Sequence, residues 1–175
     1  MVLNGLSHIA NKVEARHIIW KNKDLIEILS DISQNGSMRH WRKAAYIFCL
    51  ITRPDTEKYI EENILKSIIK LFKSPASIKE YYMGSALALS YLGNTKWANY
   101  IASDSEILKI ISSNKKIQIP IIVKNFLVII LNSLKNDTFL REINDEYKQN
   151  LIEYIDKLSS CSGGGLFDRE FKELS

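Results

Sequence analysis

The 175-residue sequence predicts an all-α fold made of stacked helical repeats, and three observations carry that prediction. Glycine and proline are scarce, at seven and three, while Leu, Ile, Lys, Glu, Ser and Asn abound, a balance that favours helices over strands and turns. A pattern of small-residue helix, turn and short apolar stop recurs at spacings of 41 and 42 residues, so that Ala45 meets Ala86 and Leu89 meets Leu131 in successive copies. Each copy is followed by a segment with apolar residues three and four apart, the mark of an amphipathic helix. The length predicts one domain, and 46% hydrophobic with 25% charged residues is ordinary globular composition.

The elements follow in order. HIIWKNKDLIEILSDI, His17 to Ile32, places Leu25, Ile28 and Leu29 in register with Leu65, Ile68 and Ile69 of a later segment, allowing one inserted residue. It predicts a partial N-terminal repeat that reproduces only the latter half of the unit. RKAAYIFCLITRPDTEKYI, Arg42 to Ile60, aligns without a gap on MGSALALSYLGNTKWANYI, Met83 to Ile101, pairing Ala45 with Ala86, Ile51 with Leu92 and Tyr59-Ile60 with Tyr100-Ile101. KNFLVIILNSLKNDTFLREI, Lys124 to Ile143, is the third copy, bringing Leu131 under Leu89, Leu134 under Leu92 and Ile143 under Ile101. The breaks recur as well: Arg53-Pro54-Asp55, Gly93-Asn94 with Thr95-Lys96, and Asn136-Asp137-Thr138 are turn and cap chemistry, so they punctuate the repeat. The following amphipathic segments are ILKSIIKLF (Ile64 to Phe72), SEILKIIS (Ser105 to Ser112) and QNLIEYIDKL (Gln149 to Leu158). Ser77-Ile78-Lys79-Glu80 has capping-box spacing at the start of a long helix after Ser74-Pro75. No single repeat of this kind can bury its apolar face, so the period predicts a solenoid.

KAAYIFCLI followed by Tyr59-Ile60 and ILKSIIKLF, and SALALSYL followed by Tyr100-Ile101 and EILKIIS, resemble armadillo repeats. The resemblance covers Glu14 to Ser160 as about three and a half repeats. HEAT repeats, which pair two helices at a similar period, fit the same spacing. The family's glycine before the second helix is replaced by Asn63, Asp104 and Lys148. The resemblance implies a right-handed armadillo-like α-α superhelix of about nine to eleven helices over residues 1–160, followed by a Gly-containing tail, 161–175. In that tail Leu166, Phe167, Phe171 and Leu174 fall at helical spacing behind Gly163-Gly164-Gly165, so it predicts a tethered amphipathic segment able to cover an end of the stack, self-associate or bind a partner. A disordered terminus is the alternative.

In armadillo-like proteins the third helix of each repeat lines a concave binding surface, and importin-like members project a Trp and an Asn four residues apart to hold an extended peptide. The matching pairs here are Tyr46/Leu50, Leu87/Tyr91 and Ile129/Ser133, so the Asn ladder is absent. Arg39, Arg42, Met83, Ile122 and Asn125 lie one or two turns earlier in the same register. The resemblance therefore implies a partner-binding set of Arg39, Arg42, Tyr46, Leu50, Met83, Leu87, Tyr91, Asn125 and Ile129. For Leu87 and Ile129 core packing and surface exposure are equal expectations, whereas Arg42, Tyr46 and Tyr91 carry polar ends suited to a surface. The implied ligand is a helical or turn-rich protein segment with apolar anchors and an acidic residue or two.

The remaining chemistry points away from catalysis. His8, His17 and His40 have no ligand partner at helical spacing, so no metal site is expected. The triple glycine lacks the Lys-Ser/Thr of a phosphate loop, no Gly-x-Ser-x-Gly occurs, and Cys49 sits among Phe48, Leu50 and Ile51 as a packed thiol. The acid pairs Glu61-Glu62 and Asp145-Glu146 are adjacent, hence splayed on a helix. Neither enzyme activity nor a cofactor is expected. Twenty-four basic against 20 acidic residues leave +4, too little to demand nucleic acid, although Arg39-His40-Trp41-Arg42-Lys43 is a basic cluster with an aromatic inside it and supports docking on nucleic acid or an anionic membrane as the alternative function. Two lone cysteines and the lack of a basic-apolar leader predict a reduced, cytoplasmic setting, in which the sequons at Asn35 and Asn136 are chance matches. Ile117 to Leu134 is apolar but interrupted by Pro120, Lys124, Asn125 and Asn132, which predicts a buried helix and no transmembrane segment.

Overall fold

A computed structural model describes residues 2–74, 79–93, 95–113 and 119–161. The described residues form eleven α-helices and one 3-10 turn, with no strand among them. The chain divides into two compact units, Met1–Tyr91 and Leu92–Ser175, each described separately below.

The first unit contains α1 (Val2–Ala10), α2 (Val13–Lys21), α3 (Lys23–Asn35), α4 (Met38–Ile51), a 3-10 turn (Glu57–Tyr59), α5 (Glu62–Lys73) and α6 (Lys79–Ser90). Helix α4 is the hub and packs against α1, α2, α3, α5 and α6. Its sequence explains this: Ala44, Ala45 and Ile47 through Ile51 are all buried, and a helix apolar nearly all round must be surrounded. Trp20 fastens α2 to the end of α4, its indole Nε1 donating to the Ile51 carbonyl at 2.9 Å while its ring stacks with those of Phe48 and Tyr59 at 6.2 and 5.8 Å. Thr56 shapes the turn after α4. Its hydroxyl donates to the Ile51 carbonyl and accepts from the Arg53 amide, each at 2.8 Å.

The second unit contains α7 (Ala98–Ala102), α8 (Ser105–Ser113), α9 (Pro120–Leu134), α10 (Asp137–Glu142) and α11 (Asp145–Cys161). Helix α9 takes the central place, against α7, α10 and α11. Ile122, Val123, Phe126, Leu127 and Ile129 through Leu131 are buried, so the apolar run is a core helix. Pro120 stands in its first turn, where a missing amide costs nothing, rather than interrupting it. No helix among the described residues is long and apolar enough to cross a membrane.

The expected succession of long helix, short helix and amphipathic helix appears as α4, the 3-10 turn and α5; as α6, α7 and α8; and as α9, α10 and α11, although α9 carries large aliphatic residues where α4 and α6 have alanines. The breaks fall at the expected places, and Asn136 closes one of them by accepting the Phe139 amide at 3.0 Å to cap α10. The stretch from His17 to Ile32, expected as a partial N-terminal repeat, is divided between α2 and α3, with α1 before them. Asn22 is the reason: its side chain accepts the Leu25 amide at 3.1 Å, ending α2 and capping α3 in one residue. Of the register residues there, Leu29 is buried while Ile28 is 56% exposed. The capping box at Ser77 and the break residue Asn94 include positions outside the described residues, as does the 162–175 part of the tail.

Candidate functional site

Along α4 and α6, which pack together, half-buried aromatic and cationic side chains collect at helical spacing. Arg42, Tyr46 and Arg53 are four and seven residues apart on and just beyond α4; Tyr81, Gly84 and Tyr91 are three and seven apart on and just beyond α6. The rings of Tyr46 and Tyr81 lie 5.0 Å apart at 49°. They approach because residue 84 is glycine: a Cβ there would stand 2.7 Å from Tyr46 Cε2. Burial pushes the phenols of Tyr46 and Tyr81 above their ordinary value, while the Arg42 charge pulls Tyr81 back in part. Both therefore remain neutral hydrogen-bonding groups around neutral pH.

At one end of this row Arg42 Nη2 donates to Ser74 Oγ at 3.1 Å, its guanidinium lies 5.7 Å from the Trp41 ring, and its Nε is buried without an acceptor among the described residues. Lys70 covers the Trp41 ring at 4.5 Å. At the other end the Arg53 guanidinium sits 5.6 Å from the Tyr91 ring centre, and its Nη1 donates to the carbonyls of Cys49 at 3.2 Å and Thr52 at 2.7 Å. Cations suit that position because the last carbonyls of a helix are unpaired and its dipole is negative there.

Of the residues implied by the repeat register, Arg42, Tyr46 and Tyr91 belong to this row, and Met83 and Leu87 are half-buried on α6. Leu50, 6% exposed, and Ile129, 0% exposed, are buried, which corrects the placement of Leu50 on an accessible face and, for Ile129, puts the residue in the core, one of its two equal expectations. An aliphatic side chain on a helix surrounded by others is drawn into the core, and Ile129 in particular meets Gly93 so closely that a Cβ there would lie 2.8 Å from its Cγ1. Asn125 is half-buried within the second unit. Arg39 is exposed and faces elsewhere: with His40, Lys43, Val2, Leu3 and Asn4 it lines a cleft of about 330 Å³ beside α1.

Sequence reading missed Tyr81, Gly84 and Arg53. Tyr81 lies just ahead of the aligned stretch, and Arg53 reads along the chain as turn punctuation with Pro54-Asp55; a cation at a helix C-terminus is the signal that could have singled it out. Larger clefts of about 600 and 850 Å³ open on the α3–α5 side, but their rims mix Lys66 and Lys70 with Glu61 and Glu62, and Lys21 and Lys58 with Glu27 and Asp31, so no one charge converges there. Among the described residues no cluster of three or more His, Cys, Asp or Glu is arranged to hold a metal. His17 pairs with Asp55 at 2.8 Å and His40 with Ser37 at 2.9 Å. Burial pushes the Cys49 thiol far above its ordinary value, so it is a packing group rather than a nucleophile. No protein-family model matches the chain, and no curated protein or solved structure matches it either.

Proposed function

We propose that this chain is a non-enzymatic protein-interaction module, a cytoplasmic scaffold or adaptor that holds a segment of a partner against α4 and α6. The finer architecture we propose for it is the right-handed armadillo-like solenoid, for which the threefold succession of long, short and amphipathic helix is the support. One observation carries the binding reading: the row from Arg42 through Tyr81 and Tyr46 to Arg53 and Tyr91 concentrates half-buried aromatic and guanidinium groups, the types that dominate protein interfaces. Gly84 keeps the two helices close enough for the tyrosines to form one surface. Without an Asn ladder to grip backbone, this surface suits a helical or turn-rich segment presenting apolar side chains and an acidic residue.

Selection from a displayed peptide library on the intact chain tests this. Ligands with apolar anchors and an acid are expected, and Arg42→Glu and Tyr91→Ala are each expected to weaken them about tenfold or more, the loss of roughly 1.4 kcal/mol per contact. Retained affinity in both folded variants, with loss on changing exposed residues of α3 or α5, would reject the assignment.

A second reading is favoured by the cleft beside α1. Arg39, His40 and Lys43 line it at the N-terminal end of α4, whose first turn contains no acid and whose dipole is positive. This patch is the place for docking on nucleic acid or an anionic membrane, and such binding falls steeply with salt whereas binding to the tyrosine row changes little.

A further inference from the structure

We propose that Arg53 and Arg16 form a seat for an oxyanion at the Tyr91 end of the α4–α6 face, taking a carboxylate or phosphoryl group on the bound segment. The inference rests on the proposed binding face only for the source of that oxyanion. Arg53 is already oriented as a receptor. Its Nη1 is occupied by the carbonyls of Cys49 and Thr52, and the Tyr91 ring lies beside the guanidinium, so rotation is restricted and the opposite Nε/Nη2 edge has no hydrogen-bond partner among the described residues. Those two parallel donors are the edge that grips a carboxylate or phosphate in bidentate fashion.

Arg16 is held in a similar manner. From α2 its Nε and Nη2 donate to the carbonyls of Ala10 and Asn11 at 3.4 and 3.2 Å, leaving Nη1 over. The two arginines belong to elements that are fastened together on either side of them: His17 meets Asp55 at 2.8 Å, and Trp20 donates to the Ile51 carbonyl. Arg16 stands one turn before Trp20 on α2, and Arg53 two residues after Ile51, so the Trp20–Ile51 and His17–Asp55 bonds bring the two arginines to the same junction; Arg53 is lowered below its ordinary value by burial first and by the Arg16 charge second. Asp55, an acid that Arg53 feels, is engaged by His17, and neither arginine makes an ion pair with a carboxylate among the described residues. Two like charges, both half-buried and fixed by carbonyls, disfavour each other, and an anion held by their remaining donors would relieve that repulsion. This gives the bound segment's acidic residue a different receptor from Arg39, which faces the α1 cleft.

The experiment follows the arginine Nε–Hε signals of the intact chain by nuclear magnetic resonance while sodium phosphate, or separately sodium acetate, replaces sodium chloride at constant ionic strength. Saturable shifts of Arg53 and Arg16 are expected. Arg16→Gln should weaken the binding about tenfold, the loss of one charge-assisted contact. Arg53→Gln should abolish it, and because that change also strips two carbonyls at the end of α4, Arg53→Lys serves as the second variant, keeping the charge but not the bidentate edge. Response to acetate as well as phosphate identifies an acidic side chain as the natural occupant; response to phosphate alone identifies a phosphorylated one. No saturable shift at either arginine, shifts of equal size at every surface arginine, or unchanged affinity in Arg16→Gln would overturn the seat. If the seat binds phosphate but selected peptides ignore Arg42 and Tyr91, the seat stands and the binding face fails; if those peptides need Arg42 and Tyr91 while phosphate leaves both arginines unmoved, the face stands and the seat fails.

Discussion

Helices α4 and α9 occupy the same place in their repeats and the same central place in their own compact units, yet they use it differently. Tyr46 on α4 and Ile129 on α9 correspond in the repeat, and each approaches a glycine closely: Gly84 for Tyr46, Gly93 for Ile129. Tyr46 stops half-buried with its ring against Tyr81, while Ile129 is wholly buried. The polar tip makes the difference, because a phenol oxygen must find water or a partner whereas a branched aliphatic group loses nothing by full burial. A repeat therefore fixes where the backbone goes, and the side chain at a shared position decides whether that position becomes core or contact surface.

Ile129→Ala is expected to cost about 2 to 5 kcal/mol in a denaturant titration, and Tyr46→Ala about half as much, with the greater consequence for peptide binding. Equal costs would mean the two positions are both core. Next is Ala86, wholly buried on α6, where Leu has no room; Ala86→Leu is expected to destabilise by about 1 to 3 kcal/mol, and unchanged thermal unfolding would show that the helix packs in another register. Gly84→Ala is subtler. The helix gains up to about 1 kcal/mol of propensity while the new methyl drives Tyr46 from Tyr81, so stability stays within about 1 kcal/mol of the parent. The tyrosine ring signals and the affinity for a selected peptide are what should change. Smallest is Ser133→Ala in α9. Its hydroxyl is buried with no partner among the described residues, so removing it is expected to be neutral or slightly stabilising, and a loss above about 1 kcal/mol would reveal a hidden hydrogen bond.

Much of the helical plan was legible because its signals are local. The apolar spacing of Ile64 to Phe72 and the cap at Asn136 act within one or two turns, and α5 and α10 stand where those patterns put them. The N-terminal region was less legible because a single cap, Asn22, outweighed a continuous apolar pattern and divided it between α2 and α3. The candidate site was legible only in part. Tyr46 and Tyr91 follow from the repeat register, but their neighbours depend on packing between helices: Tyr81 reaches Tyr46 across a contact that Gly84 permits, and Arg53 turns onto Tyr91 because the end of α4 offers it carbonyls. Spacing alone does not separate Leu50 from Tyr46, one turn apart on the same helix face; only the phenol marks Tyr46 for the surface.

Hydrogen exchange of the intact chain, measured with and without a library-selected peptide, most directly tests whether a partner segment lies on α4 and α6 as proposed. Slower exchange confined to residues 42–53 and 79–91 is the predicted result. Protection confined instead to α3 and α5, with the α4 and α6 amides exchanging as fast as in the free chain, would contradict it.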